Sequence, residues 1–358
     1  MHIPDGYLSP ATCVAAAAVA APFWYVSLRK VKRAMQGRVV PLLSVVSAFS
    51  FVVMMFNLPI PGGTTAHAVG MGIAAIALGP WAAIVAVSTA LLIQALFFGD
   101  GGITAFGANS LNMAVVGVLV AYGIYRLVSG RSSVDAPRRI LAAGLAGYLG
   151  INAAALLTAL EFGLQPVFFY DAGGAPLYAP YPLGIAVPAM MVAHLTVAGA
   201  AEAIVTAGVV AWLQRSNPAL LLATSGLAER AIPAGTWRST RWLWAGLGAL
   251  MALSPLGLVA AGVAWGEWRV GDFADPALRE QIAHASANVA PPARAPHGLE
   301  QLAGLWSAPI PGYAPEFLRD PSFGYIASAL LGGGLIIVAL SLLSWLTARR
   351  RDGSTGPA

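Results

Sequence analysis

The chain opens MHIPDGYLSP. Met1 brings an α-amine, and His2 brings an amide nitrogen and an imidazole. With the amine free, these nitrogens close two fused chelate rings around one cation and leave a fourth in-plane position open. Square-planar nitrogen coordination suits Ni(II) and Cu(II) and disfavours Zn, Ca and Mg. In model peptides an α-amine titrates at about 8 and an imidazole at about 6.5. Every donor must lose a proton to ligate, so such a set binds weakly in acid.

What this terminus does depends on where it lies. It lacks the basic n-region of a secretory signal, since no Lys or Arg precedes Arg29, and it carries Pro4, Asp5 and Gly6 instead. The composition is that of an integral membrane protein: 58% hydrophobic and only 10% charged residues, with a mean hydropathy of +0.73. A soluble domain carries about 25% charged residues. A pI near 9.6 then reflects basic loops that set orientation, not nucleic-acid binding. The single Cys13 sits in an Ala-rich run, which excludes a disulfide or a cysteine metal site within one chain.

A spanning helix needs about 20 apolar residues. Apolar runs predict an all-α polytopic protein of about nine spans, beginning near Ser9, Val39, Ala68, Trp81, Ala108, Ile140, Gly184, Trp242 and Phe323. With the N-terminus outside, 16 of the 20 Lys and Arg residues fall on the cytoplasmic side. The remaining four, Arg269, Arg279, Arg294 and Arg319, share one long outside loop, and long loops orient weakly. The expected arrangement is therefore N-terminus outside and C-terminus cytoplasmic. Residues 1–214 form a seven-span unit, 215–241 a cytoplasmic linker, and 242–358 a two-helix hairpin. The hairpin's outside loop, 267–321, is rich in Pro and Ala, and its composition predicts that it buries little.

The same outside face receives LPIPGGTTAHAVG, with His67 at the mouth of the third apolar run. Its Pro and Gly residues predict a re-entrant type of loop packed in protein. His67 is the candidate fourth donor, and Thr64 and Thr65 are candidates for fixing its tautomer. Spacing alone fits equally well an incidental His2 on a loose terminus and an interfacial His67. Further candidates for supporting or gating roles are Asn109 and Asn112, in FFGDGGITAFGANSLNM beside Asp100, and the intramembrane His194 and Glu202. His194 and Glu202 lie eight residues apart, about 12 Å along a helix, too far to pair directly. They also fit plain inter-helix hydrogen bonding. No Walker A motif is present, as neither Lys30 nor Lys32 follows a Gly.

Four stretches, MHIPDGYLSP, AHAVGMGIAAIALGPWAA, FGDGGITAFGANSLNM and HLTVAGAAEAIVTAGVV, resemble the CbiM/NikM family. Its members are cobalt or nickel substrate-binding (S) components of energy-coupling-factor (ECF) ABC importers. The resemblance covers residues 1 to about 215. It implies that the Met1 amine, the His2 amide and imidazole, and the His67 imidazole hold the cation in a plane. The second block resembles the two-helix CbiN/NikN component, here fused. Its PHGLEQLAG stretch has His297 where the family pattern has Asp, which leaves the loop's role open, and His284 and His297 are candidates for cation capture. Fusion is more typical of the nickel systems in that family, which points to nickel over cobalt.

By the same resemblance the chain is not an enzyme. Ni(II) or Co(II) is its cargo, with no permanently bound cofactor. Its partners are a transmembrane coupling (T) component, two ATP-binding subunits and the lipid of a bacterial inner membrane; nucleic acid is not among them. The alternatives are a cobalt-specific importer component for cobalamin synthesis, a proton-coupled metal transporter using His194 and Glu202, and an intramembrane metalloenzyme. The last lacks any HExxH-type spacing.

Overall fold

The computed structural model describes residues 1–34, 40–61, 63–222, 237–260, 262–314 and 317–352. Its regular structure is helical apart from one small hairpin, since a backbone in lipid must satisfy its own polar groups. Among the described residues, seven helical segments are long and apolar enough to cross a membrane: Pro10–Lys32, Pro80–Phe98, Phe106–Ser129, Pro137–Phe168, Leu183–Ser216, Thr240–Val259 and Pro321–Leu346.

The first helices are α1 (Pro10–Ala34), α2 (Val40–Met54), α3 (Met71–Leu78) and α4 (Pro80–Ile93). Seven of the nine expected spans correspond to these segments, and the second and third fall on helices shorter than a span among the described residues. The second, α2, has 15 residues. The third, α3, has eight, about 12 Å of rise against a hydrocarbon core of about 30 Å. Gly70, at φ 75°, precedes α3, and Gly79, at φ 76°, separates it from Pro80. All eight residues of α3 are buried, so it is a half-helix inside the bundle.

The bundle continues with α5 (Phe106–Asn109), α6 (Val118–Ser129), α7 (Pro137–Phe168), α8 (Leu183–Ala193), α9 (Gly199–Ser216) and α10 (Pro218–Leu222). Helix α7 is central and packs against α6, α8, α9 and α3. Small residues allow the close approach. A Cβ on Gly72 of α3 would lie 2.8 Å from Thr206 Oγ1 and 3.0 Å from Gly147 Cα. Three helices widen to π geometry, at Gln94–Phe98, Ser110–Gly117 and His194–Ala198. Such bulges are frequent where a helix serves a site.

Between α2 and α3 stands an antiparallel pair, β1 (Leu58–Ile60) with β2 (Thr64–Ala66), in register Leu58 to Ala66. The expected re-entrant loop is thus a hairpin, and the π segment at His194–Ala198 packs against it.

The C-terminal part comprises α11 (Trp237–Leu253), a 3-10 turn at Ser254–Val259, α12 (Pro276–Ala285), α13 (His297–Leu302) and α14 (Pro321–Asp352). Helices α11 and α14 pack on α2. Of the expected linker, Pro218–Leu222 form α10 against α9, and residues 223–236 lie outside the described residues.

The connecting loop does not bury little, as its composition predicted. Trp265, Trp268, Phe273, Ile282 and Tyr313 are all buried. Trp265 lies 5.4 Å from Trp268, 6.0 Å from Tyr181 and 6.1 Å from Phe162, centroid to centroid. These aromatic partners come from both parts of the chain, which is why local composition missed the packing.

Candidate metal site

Residues 1–9 are buried rather than loose. Asn109, at the end of α5, grips the strand just after the hook from both sides. Its Oδ1 accepts from Ile3 N at 2.8 Å, and its Nδ2 donates to Ile3 O at 3.1 Å. Gly102 N donates to the same carbonyl at 2.8 Å. The Asp5 carboxylate accepts from Ile103 N at 3.1 Å, Thr104 N at 2.7 Å and the Thr104 hydroxyl. Tyr7 donates its hydroxyl proton to Trp268 O at 2.8 Å, and Ser9 N donates to Gln165 Oε1 at 2.9 Å. Every residue from Met1 to Ser9 except Pro4 and Asp5 is buried.

This strapping brings His2 against His67. His67 Nε2 lies 3.3 Å from His2 Nδ1, and the ring centroids are 5.0 Å apart. His67 Nδ1 lies 2.9 Å from Ala68 O. A carbonyl only accepts, so Nδ1 carries the proton and Nε2 presents a lone pair toward His2. The residue that fixes the tautomer is therefore the neighbouring main chain. Thr64 and Thr65 are buried, and no hydrogen bond from either side chain to His67 is present among the described residues. Thr65 N instead donates to Val263 O at 3.3 Å, joining the hairpin to the C-terminal loop.

Three carboxylates face the donors or their support. Asp100 Oδ1 lies 3.1 Å from His2 Nδ1. Asp100 Oδ2 accepts from the Tyr313 hydroxyl and, at 3.3 Å, from Gln94 Nε2, which also donates to Tyr313 at 2.9 Å. Glu267 Oε1 lies 3.3 Å from the Met1 α-amine. Glu202, from α9, accepts main-chain protons just beyond His67. A cavity of about 840 Å³ opens beside His67, Asp100 and Glu267 and is lined on its other side by the C-terminal loop.

Burial sets the charge state of the imidazoles. His2 is pushed down to about 4, first by desolvation and then by the nearby α-amine, against the pull of Glu267. His67 is pushed down to about 3, by desolvation and then by His2 and the α-amine, against Asp100. Burial also raises Asp100 above the ordinary carboxylate range. Both imidazoles are therefore neutral at physiological pH, the form in which they ligate.

Among the described residues no group of three or more His, Cys, Asp or Glu side chains converges on one point. A set drawn half from main-chain nitrogens does not need one. His2 Nε2 and Gln94 Oε1 are both buried without a hydrogen-bond partner.

The other expected residues are placed as follows. Asn112 does not reach the hook; its Nδ2 donates to Thr158 Oγ1 at 3.0 Å and Glu161 Oε2 at 2.6 Å. His194 Nδ1 lies 2.8 Å from Met190 O, one turn back, and its Nε2 is buried without a partner. His284 and His297 are exposed on α12 and α13, and His297 contacts Gln301 at 3.2 Å. Glu267, Tyr313 and Gln94 went unnoticed in the sequence. Only the flanking tryptophans of WGEWRV hinted that Glu267 belongs to a packed segment.

Residues 2–220 match the family model CbiM, described as the cobalt uptake substrate-specific transmembrane region. The fused nickel transport protein NikMN of Rhodobacter capsulatus is 62% identical over 351 residues, 98% of this chain and 99% of that protein. The cobalt transport protein CbiM of Geobacter sulfurreducens is 35% identical over 246 residues, 67% of each chain. A crystal structure described as a truncated transition metal transporter is 54% identical and superposes with a TM-score of 0.56. The overlap is 60% of this chain and 99% of that one.

Proposed function

The chain belongs to the CbiM family of metal-uptake membrane proteins, and we propose that it binds Ni(II) as the substrate-binding component of an importer. As such it is a multi-pass plasma-membrane protein whose metal is cargo. The donors in this reading are the Met1 amine, the His2 amide nitrogen, His2 Nδ1 and His67 Nε2. The observation that carries it is the 3.3 Å approach of His2 Nδ1 and His67 Nε2, with the α-amine of Met1 beside them in a buried pocket.

Loading then follows from the protonation pattern. His2 Nδ1 lies between Asp100 Oδ1 and the His67 Nε2 lone pair, so in the metal-free protein it carries the ring proton. Ligation through Nδ1 moves that proton to Nε2, which is buried without a hydrogen-bond partner. The α-amine must leave its pairing with Glu267 as it deprotonates. The ring shift keeps its proton, whereas the α-amine and the His2 amide each lose one as they ligate, so protons are released as metal enters.

Nickel is preferred because a relative that matches both parts of this chain from end to end is a fused nickel transport protein. Cobalt is the second reading, favoured by the description of the family model and by the cobalt relative. Transport into the cytoplasm needs work that this chain lacks a nucleotide motif to supply. We assign that work to a transmembrane coupling component and two ATP-binding subunits of an ECF importer. Metal analysis of the full chain, purified after exposure to equal Ni(II) and Co(II), tests the cargo. Nickel in clear excess is expected, and equal or cobalt-dominated occupancy would overturn the assignment.

A further inference from the structure

The turn between His67 and α3 is held from both sides. Gly70, at φ 75°, lies against the Phe49 ring, where a Cβ would come within 2.9 Å of Cε1. Ser50 of α2 donates to Val69 O at 2.6 Å. From the opposite side, Glu202 of α9 accepts Val69 N at 2.8 Å and Gly70 N at 2.9 Å through Oε2, and Gly72 N at 3.1 Å through Oε1. These amides start a short helix whose first turn has no internal partners. Both Glu202 and the turn are buried among apolar helices, where an N–H left without an acceptor is strongly unfavourable. The carboxylate is itself locked, because α9 is clasped to α7 at Gly147, where a Cβ would lie 2.9 Å from Glu202 O.

His67 lies two residues before the first of these amides, and its Nδ1 is bonded to Ala68 O within the same turn. The direction in which Nε2 points is thus set by the main chain that Glu202 holds. We propose that Glu202 is a positioning residue for the cargo metal, aiming the His67 imidazole at the N-terminal hook through the amides of Val69, Gly70 and Gly72. This rests on the reading of His67 as the fourth donor. It gives an intramembrane carboxylate a task other than carrying protons.

The test is a double-mutant cycle in the full chain in detergent. It reads nickel affinity by chelator competition and geometry by the nickel d–d absorption band. Glu202→Gln keeps the shape but turns an N–H donor toward N–H donors. It is expected to weaken nickel binding by about 10- to 100-fold, the range seen when a ligand's supporting partner is lost, and to move the band toward that of His67→Ala. Glu202→Asp, which keeps the charge, should recover part of the loss. In His67→Ala, adding Glu202→Gln should cost nothing further, because the residue it positions is gone.

An undiminished second loss in the double variant would mean that Glu202 supports only the fold, and would overturn the proposal. So would unchanged affinity and spectrum in Glu202→Gln alone. If that variant does not fold, the same cycle is run with Glu202→Asp and judged by the same two criteria. Should His67→Ala itself leave nickel binding intact, the fourth-donor reading fails first and this inference falls with it.

Discussion

Glu267 Oε1 stands 3.3 Å from the α-amine of Met1, across 266 residues of chain. Tyr313 donates to Asp100, whose other oxygen meets His2, and Val263 O accepts from Thr65, two residues before His67. The C-terminal loop therefore has one contact leading to each residue of the proposed metal set. A unit whose composition predicts a slack connection packs over the proposed site.

Blocking the α-amine tests the hook most directly. Met1 is only 2% exposed, and one added residue ahead of it replaces the buried amine by an amide. Such a variant, or the acetylated chain, should lose nickel binding by at least a hundredfold while its melting temperature in detergent stays within a few degrees. Binding at the original affinity would remove the terminal amine from the donor set.

Gly102→Ala probes the strapping without touching a donor. Its Cβ would fall on Asp5 N and the Asp5 carboxylate, forcing the hook away from the loop that holds it. Nickel affinity should drop by about tenfold or more, with helix content by circular dichroism unchanged. Affinity equal to that of the parent would show that the Asp5 cradle does not position Met1 and His2.

Tyr313→Phe separates the C-terminal loop from the donors. It removes one hydrogen bond to a mostly buried Asp100, worth about 1 kcal/mol, and should reduce nickel affinity about fivefold. Stacking on Phe98, at 4.9 Å, survives the change. An effect as large as that of His67→Ala would instead make Tyr313 part of the binding set.

Acid should weaken the metal-free protein in a defined window. Both imidazoles are held well below 6.5, at about 4 for His2 and about 3 for His67, chiefly by burial. Between pH 6.5 and about 4 the unfolded chain takes up protons that the folded chain refuses. This contribution to stability is therefore full above pH 6.5 and declines as pH falls toward 4. Thermal midpoints measured without metal from pH 7.5 to 4.5 should fall along that range, and the fall should be shallower in His67→Ala. Parallel curves for the two proteins would contradict it.

The helices were legible because a long apolar run has few alternatives in lipid. The hook was legible because its three nitrogens lie within two residues, where bond geometry alone defines the rings. Position 67 followed from topology, which puts it on the face of the N-terminus at the mouth of a helix. What stayed hidden depends on distant partners. The apolar run 68–78 is short in the sequence itself, ended by Gly79-Pro80, but the carboxylate of α9 that receives its first amides lies some 130 residues on and left no local signal. Thr64 and Thr65 were reasonable hydrogen-bonding types, yet the carbonyl of Ala68 stood closer. Nothing near Glu267 announces residue 1.

The π segment at Gln94–Phe98 gives the chain an unusual sensitivity to its own length. The wide turn already holds one residue more than an ordinary helical turn, so a further residue inserted there would swing everything downstream by about 100°, carrying Asp100 out of reach of His2. Insertions should be tolerated in the exposed stretch around Gly173 while remaining intolerable between Gln94 and Asp100, even where each inserted side chain is an unremarkable apolar one.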